Sequence, residues 1–179
     1  MIDTSRTRAP RTSASTKDGR RSVAVIGGGA AGLCAAIHAA RAGAETVLLE
    51  RTKDGGRKIL ISGGGRCNVL PGTFRPERYV TDSSPNTLRR MLRAWPLDEQ
   101  RAWFERDLGI ALKHEPEFDK LFPVADKARV VRDRLVEAVR QAGAELRFEA
   151  RAVGLEPDTS GWWVSVEGGE PEHFDAAIV

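Results

Sequence analysis

The chain is poor in most of the residues from which special sites are built. Its 179 residues include two cysteines, three histidines, two methionines and one tyrosine. Cys34 and Cys67 are too few and too irregularly placed for a disulfide framework, a zinc site or a redox CxxC pair, and such usage fits a reducing cytoplasm. His38, His114 and His173 have no metal-ligand spacing and read as ordinary surface or satisfied residues, so no metal is expected. No apolar run approaches the roughly 20 residues of a membrane span, which excludes a membrane partner. Net charge is also scarce. The formal charge is +3, but residues 1–21 carry six Arg or Lys against two Asp, leaving the rest of the chain at about −1. That balance removes the electrostatic case for nucleic-acid binding by the folded part.

What the chain has in quantity is glycine, 18 residues of it, set among helical and strand patterns. Residues 1–21 are rich in Arg, Ser and Thr without apolar periodicity, and read as a disordered basic tail lacking the apolar core of a secretory signal. The segment SVAVIGGGAAGLCAAIHAARAGAETVLLE then runs as apolar run, glycine turn, helix, glycine stop and second apolar run, which is βαβ grammar with two parallel strands. Residues 54–73 read as loop around a short apolar piece, Ile59 to Ile61. Ser84 and Pro85 start a helix with a Leu88, Met91, Leu92 and Trp95 stripe. A second helix runs from about Asp98 to Leu108 and stops at Gly109. Asp126 is placed to cap a long helix with a Val131, Leu135, Ala138 and Val139 stripe, whose Arg129, Arg132 and Arg140 read as its solvated face. The tetrapeptide AGAE occurs at 42–45 and again at 142–145, each time as a joint of helix, glycine stop and strand. Residues 151–174 alternate as a small antiparallel meander, in which Trp162 and Trp163 face opposite sides. Ala176 to Val179 reads as a strand entering a parallel sheet.

Gly27, Gly29 and Gly32 are spaced GxGxxG between the first strand and the first helix. The first glycine permits the tight turn, the second lets a pyrophosphate lie against backbone, and the third lets helix and strand pack closely. First-turn amides around Ala30 and Ala31, together with the helix dipole, then face the phosphates. Glu50, eighteen residues after Gly32 at the end of the second strand, is placed to accept the hydroxyls of an adenosine ribose. Its charge argues against a ribose 2′-phosphate. FAD and NAD both remain open on this spacing.

A second glycine cluster, ISGGGRCNV at 61–69, is not a P-loop, because no GK[ST] follows, and not a hydrolase elbow, because Ser62 lacks a glycine two residues before it. It reads as a backbone platform with one cation, Arg66, and one thiol, Cys67. The thiol has no second cysteine near it for a disulfide relay and reads as a small packed residue.

Together with VAVIGGGAAGLCAAIHAARAGAETVLLE and LFPVADKARVVRDRLVEAVRQAGAEL, the stretch GRKILISGGGRCNV closely resembles the BaiN/YhiN-like NAD(P)/FAD-dependent oxidoreductases of prokaryotes, over about residues 22–179. The resemblance implies an α/β, Rossmann-like (glutathione-reductase-type) FAD/NAD(P)-binding domain with a parallel sheet and a small antiparallel β-meander over residues 22–179. It also implies a cytoplasmic flavoprotein acting on a small-molecule substrate, with FAD as cofactor and NAD(P)H as electron donor. By the same resemblance Gly27, Gly29, Ala30, Ala31, Gly32, Glu50 and Arg51 hold the ADP half. Arg57, Lys58, Ser62, Gly63, Gly64, Gly65, Arg66, Cys67 and Asn68 run along the pyrophosphate towards the flavin ring, and Val153 meets adenine. Arg66 and the loop amides are expected to stabilise negative charge on the pyrophosphate or a reduced flavin. Members of this family continue beyond a strand like FDAAIV into further domains, so the chain is expected to be the N-terminal part of a longer, truncated FAD-binding domain, with its catalytic residues unassigned.

Overall fold

The computed structural model describes residues 19–179, so most of the tail lies outside the described residues. In chain order the elements are β1 (Ser22–Ile26), α1 (Ala30–Arg41), β2 (Glu45–Leu49), α2 (Arg57–Ile61), β3 (Leu70–Pro71), α3 (Pro85–Ala94), α4 (Leu97–Ala102), β4 (Leu112–Glu115), β5 (Lys120–Pro123), α5 (Ala128–Gln141), β6 (Glu145–Arg147), β7 (Ala152–Pro157), β8 (Trp162–Val166), β9 (Glu172–Phe174) and β10 (Ala176–Ile178). They fall into two compact units, one made of the residues up to Gly56 and from Val136 onward, the other of Arg57–Leu135.

The first unit is the Rossmann-type α/β part. Its parallel sheet has the order β10-β1-β2-β6, with Val23 opposite both Thr46 and Ala176. Side chains alternate across it. Ala24, Val47 and Leu49 form a core cluster with Val164 and Phe174 of the antiparallel β7-β8-β9 meander. On the other face lies α1, which buries Leu33, Ala36 and Ile37 and is close enough that Val25 Cγ1 lies 3.6 Å from where a Cβ on Gly32 would stand. A sheet covered on both faces needs the near-continuous apolar runs that VAVI and TVLL supply. Strand β10 is latched by side chain: Asp175 accepts from both the amide and the hydroxyl of Ser22 (2.5 and 2.9 Å), and the Ser22 hydroxyl accepts from the Asp175 amide.

The two AGAE joints are built alike. Gly43 and Gly143 sit at φ of +90° and +84°, and their amides and those of the following alanines return to carbonyls of the last helical turn. This glycine cap turns the chain at once into a strand. The strands that follow, β2 and β6, pair in parallel, with Val47 opposite Glu145.

The second unit joins α2, α3, α4 and the start of α5 to a small antiparallel sheet of order β3-β5-β4. Ser84 caps α3 by accepting from the Thr87 amide at 3.2 Å, with Pro85 in the first turn. Met91 of the expected stripe is two-thirds exposed, whereas Leu88 and Leu92 are half-buried. Helix α4 widens into a π turn over Trp103–Asp107 that buries Trp103 and Phe104, with Trp95 edge-on to Trp103 at 5.5 Å. Three local readings differ from the sequence expectation. Residues 57–65 are helical, not loop: α2 runs into a tighter turn over Ser62–Gly65. Asp126 does not cap α5 with its side chain as expected; it sits at φ +50° with its carboxylate on Lys113 and Arg66. Arg132, expected on a solvated face, is buried and pairs with its neighbour Asp133 at 2.5 Å.

Candidate functional site

In the first unit, the loops at the carboxyl ends of β1 and β2 are stitched together by backbone. The Gly27 amide donates to the Leu49 carbonyl at 2.8 Å and the Gly56 amide to the Gly28 carbonyl at 2.8 Å. Gly27 takes φ +104°, a conformation costly for any residue with a Cβ. Gly32 has a different reason to be glycine: a Cβ there would stand 1.8 Å from the Gly27 carbonyl oxygen. The spacing of the fingerprint is thus enforced by one positive φ and one close approach.

Glu50 is buried between these loops. Its Oε2 accepts from the Gly28 amide at 2.6 Å, and its Oε1 accepts from the amide and hydroxyl of Thr52 at 2.7 Å each. Burial alone raises a carboxyl, but the bonds from Thr52 and Gly28 and the charge of Arg51 outweigh it and hold Glu50 below its ordinary value. Three of about four acceptor positions on the carboxylate are therefore used by the protein, and one remains on Oε2. Arg51 itself is exposed.

The mouth of the α1 helix is open. Gly29, Ala30 and Ala31 are exposed, no side chain caps the helix, its first turn carries no acid, and nothing lies within 4 Å of where a Cβ on Gly29 would stand. An uncapped N-terminus leaves amides without intrahelical partners and a positive dipole end facing solvent. Val153 is 58% exposed at the irregular register between Ala152 and Gly154 in β7. The backbone just before it runs beside the end of β2, where the Ala150 amide donates to the Glu50 carbonyl at 2.9 Å. Sequence reading did not single out Thr52, Gly55 and Gly56, which pack around Glu50 and Gly28. The unexplained GG doublet at 55–56, where both residues sit at positive φ, was the available signal.

In the second unit the other expected residues cluster by themselves. Arg57 and Lys58 are exposed on α2. The SGGGRCN segment turns through Gly63, Gly64, Gly65 and Cys67, all left-handed, at φ +57°, +67°, +86° and +69°. Gly63 packs under Phe122, whose ring carbon would lie 2.8 Å from a Cβ. Gly64, Gly65 and Asn68 stay exposed. Arg66 lies over the Phe122 ring, 4.3 Å from its centre, and pairs with Glu115 at 2.6 Å and Asp126 at 3.6 Å. The hydrogen bond to Glu115 strengthens its hold on its proton. The guanidinium expected to serve a ligand's negative charge thus also has two carboxylates of its own, which tie the glycine turn to β4 and to Asp126. Cys67 is buried, and burial raises its thiol despite a bond with Ser62. That suits a packed neutral residue better than a nucleophile.

The sheet, the glycine turn at the end of β1 and the acidic residue at the end of β2 define a Rossmann-type α/β domain. The chain belongs to the HI0933-like protein Rossmann domain family, whose model matches residues 21–179. Among curated proteins no match was found. Solved structures share the fold. A 3-ketosteroid-Δ4-(5α)-dehydrogenase from Rhodococcus jostii aligns at TM-score 0.61 and 19% identity over 94% of this chain and 48% of its own. L-proline dehydrogenase from P. horikoshii aligns at 0.56 and 12% identity over 88% and 52%, and THI4 from Thermovibrio ammonificans at 0.53 and 16% over 88% and 55%. The chain thus spans about half the length of these proteins. The first unit fits the ADP part of FAD on its own evidence: an open, uncapped helix mouth and an ionised carboxylate with one free acceptor position. No described helix is long and apolar enough to cross a membrane.

Proposed function

We propose that this chain holds FAD through its ADP half, as the nucleotide-binding part of a BaiN/YhiN-like oxidoreductase acting on a small molecule. The observation that carries the reading is the exposed, uncapped start of α1 beside the buried, ionised Glu50. In this reading the amides of Gly29 to Gly32 donate to pyrophosphate oxygens, each such charge gaining roughly 0.3–1 kcal/mol from the helix end. The last acceptor position of Glu50 takes a ribose hydroxyl. A 2′-phosphate at the same place would bring two anions together, which favours FAD or NAD over NADP at this site. Val153, exposed at the start of the meander, offers its backbone to adenine. FAD, when bound, supplies the hydride chemistry. Within the second unit, Arg57, Lys58 and the exposed Gly64, Gly65 and Asn68 are proposed as cofactor-binding residues in their own right, with Arg66 and Cys67 holding that segment in shape.

The test is to purify the chain, record its visible spectrum and titrate FAD, NAD and ADP by calorimetry. A flavin spectrum with FAD bound more tightly than NAD is the expected outcome. Clear preference for NAD would replace the cofactor, and absence of binding to all three would end the reading.

A further inference from the structure

The second unit carries two adjoining cavities that the ADP site does not use, of about 320 and 440 Å³, each within the size range of small-molecule sites. The smaller is lined by Arg75, Arg78 and Lys120 against one carboxylate, Asp119, and by Asn68 at the end of the glycine turn. Arg75 lies 3.8 Å from Asp119, whose other oxygen is held by Thr73 and His114. Arg78 and Lys120, both exposed, have no side-chain partner among the described residues. The larger cavity is mostly apolar, with Phe74, Leu92, Pro96 and Leu97 in its wall, and its charged lining residues, Arg89 and Arg93, are both cations. Pro71 and Tyr79 line both cavities, so the cationic and the apolar chambers share a wall.

Cations without carboxylate partners beside an apolar chamber select a ligand with both characters. An inorganic anion leaves the larger chamber wet, and a neutral hydrocarbon leaves Arg78 and Lys120 unanswered. We infer that these cavities are the site of an organic monoanion with an apolar body, a carboxylic acid in the first instance, whose head meets Arg78 and Lys120 and whose body passes Tyr79 into the chamber of Phe74, Leu92 and Leu97. As a binding site this stands on the cavities alone. As the substrate class of the enzyme it rests on the flavoprotein reading, with Asn68 the residue common to both.

The probes are octanoate, octan-1-ol, octylamine and inorganic phosphate, titrated by calorimetry into the full chain with and without saturating FAD. Octanoate is expected to bind at least ten-fold more tightly than the other three and to be indifferent to FAD. The double variant Arg78→Gln/Lys120→Gln, at exposed positions that leave the fold intact, should weaken octanoate at least ten-fold, and Leu92→Asp should do the same, with FAD affinity unchanged in both. Octanoate affinity unaltered by the double variant, octan-1-ol binding equally well, phosphate binding more tightly, or FAD displacing octanoate would each overturn the inference. FAD titrated into the same samples reads the cofactor proposal separately, so either can fail while the other stands.

Discussion

Glu50 ties its loops together and, on the proposed reading, also meets the ribose, and one substitution bears on both. Its carboxylate closes hydrogen bonds to Gly28 and Thr52 inside the protein, and its remaining acceptor position faces the proposed ribose. Glu50→Gln keeps the size but loses the charge, and its amide nitrogen must oppose one set of donors, so a loss of about 1–3 kcal/mol in urea unfolding is expected along with a weaker FAD complex. The pH dependence follows from the lowered carboxyl. Its stabilisation is complete above the ordinary value of 4.5 and is lost as pH falls through the depressed one. The stability gap between wild type and Glu50→Gln should therefore be widest above that ordinary value and narrow as pH falls, because the variant has no carboxylate to protonate. Cys34 acts at the other end of the scale. Burial pushes its thiol up from 9.0 to about 11, so the folded chain keeps a proton that the unfolded chain gives up. Stability should fall between pH 9 and 11 by up to about 1.4 kcal/mol per unit, and Cys34→Ala should flatten that slope. Gly32→Ala is a steric test: its Cβ would collide with the Gly27 carbonyl, and the backbone shift should remove FAD binding even where the melting temperature drops only a few degrees.

At the scale of elements, the joints carry the argument. Gly43 and Gly143 end α1 and α5 in the left-handed conformation, and alanine at either should cost about 1 kcal/mol or more by chemical denaturation. In the meander, Asp158 accepts from the Ser160 and Gly161 amides at 2.6 and 2.8 Å and from the Trp163 indole at 2.9 Å, and the buried His173 lies against it. The bond from the Ser160 amide, first among these, holds its carboxyl well below the usual range. These joints also show what was legible in the sequence. AGAE, GxGxxG and Ser84–Pro85 declare themselves because the backbone's demand is met by residues within a few positions. The cap expected of Asp126 failed for the opposite reason, and the pairing of Arg66 was illegible for the same one: their partners, Lys113 and Glu115, are brought in by the β4-β5 hairpin, which no local pattern announces. Gly56 showed only as part of a glycine doublet, because its partner Gly28 comes near it only when β1 and β2 pair; Thr52 bonds Glu50 two residues away, a local contact that no motif marks.

For the molecule as a whole, the proposed seat of the ADP half of FAD is the first unit, at the joined ends of β1 and β2. A ligand bound only by the folded state at a hundred times its dissociation constant adds about 2.7 kcal/mol of stability, so FAD should raise the melting temperature, and ADP should do so at a higher concentration. The most direct measurement is a titration of ADP into isotope-labelled protein, followed through backbone amide resonances. On the proposal that ADP sits at the start of α1, the largest shifts fall on Gly29, Ala30, Ala31 and Gly32, with Glu50 and Val153 next. Shifts absent from the start of α1, with ADP bound elsewhere, would contradict it.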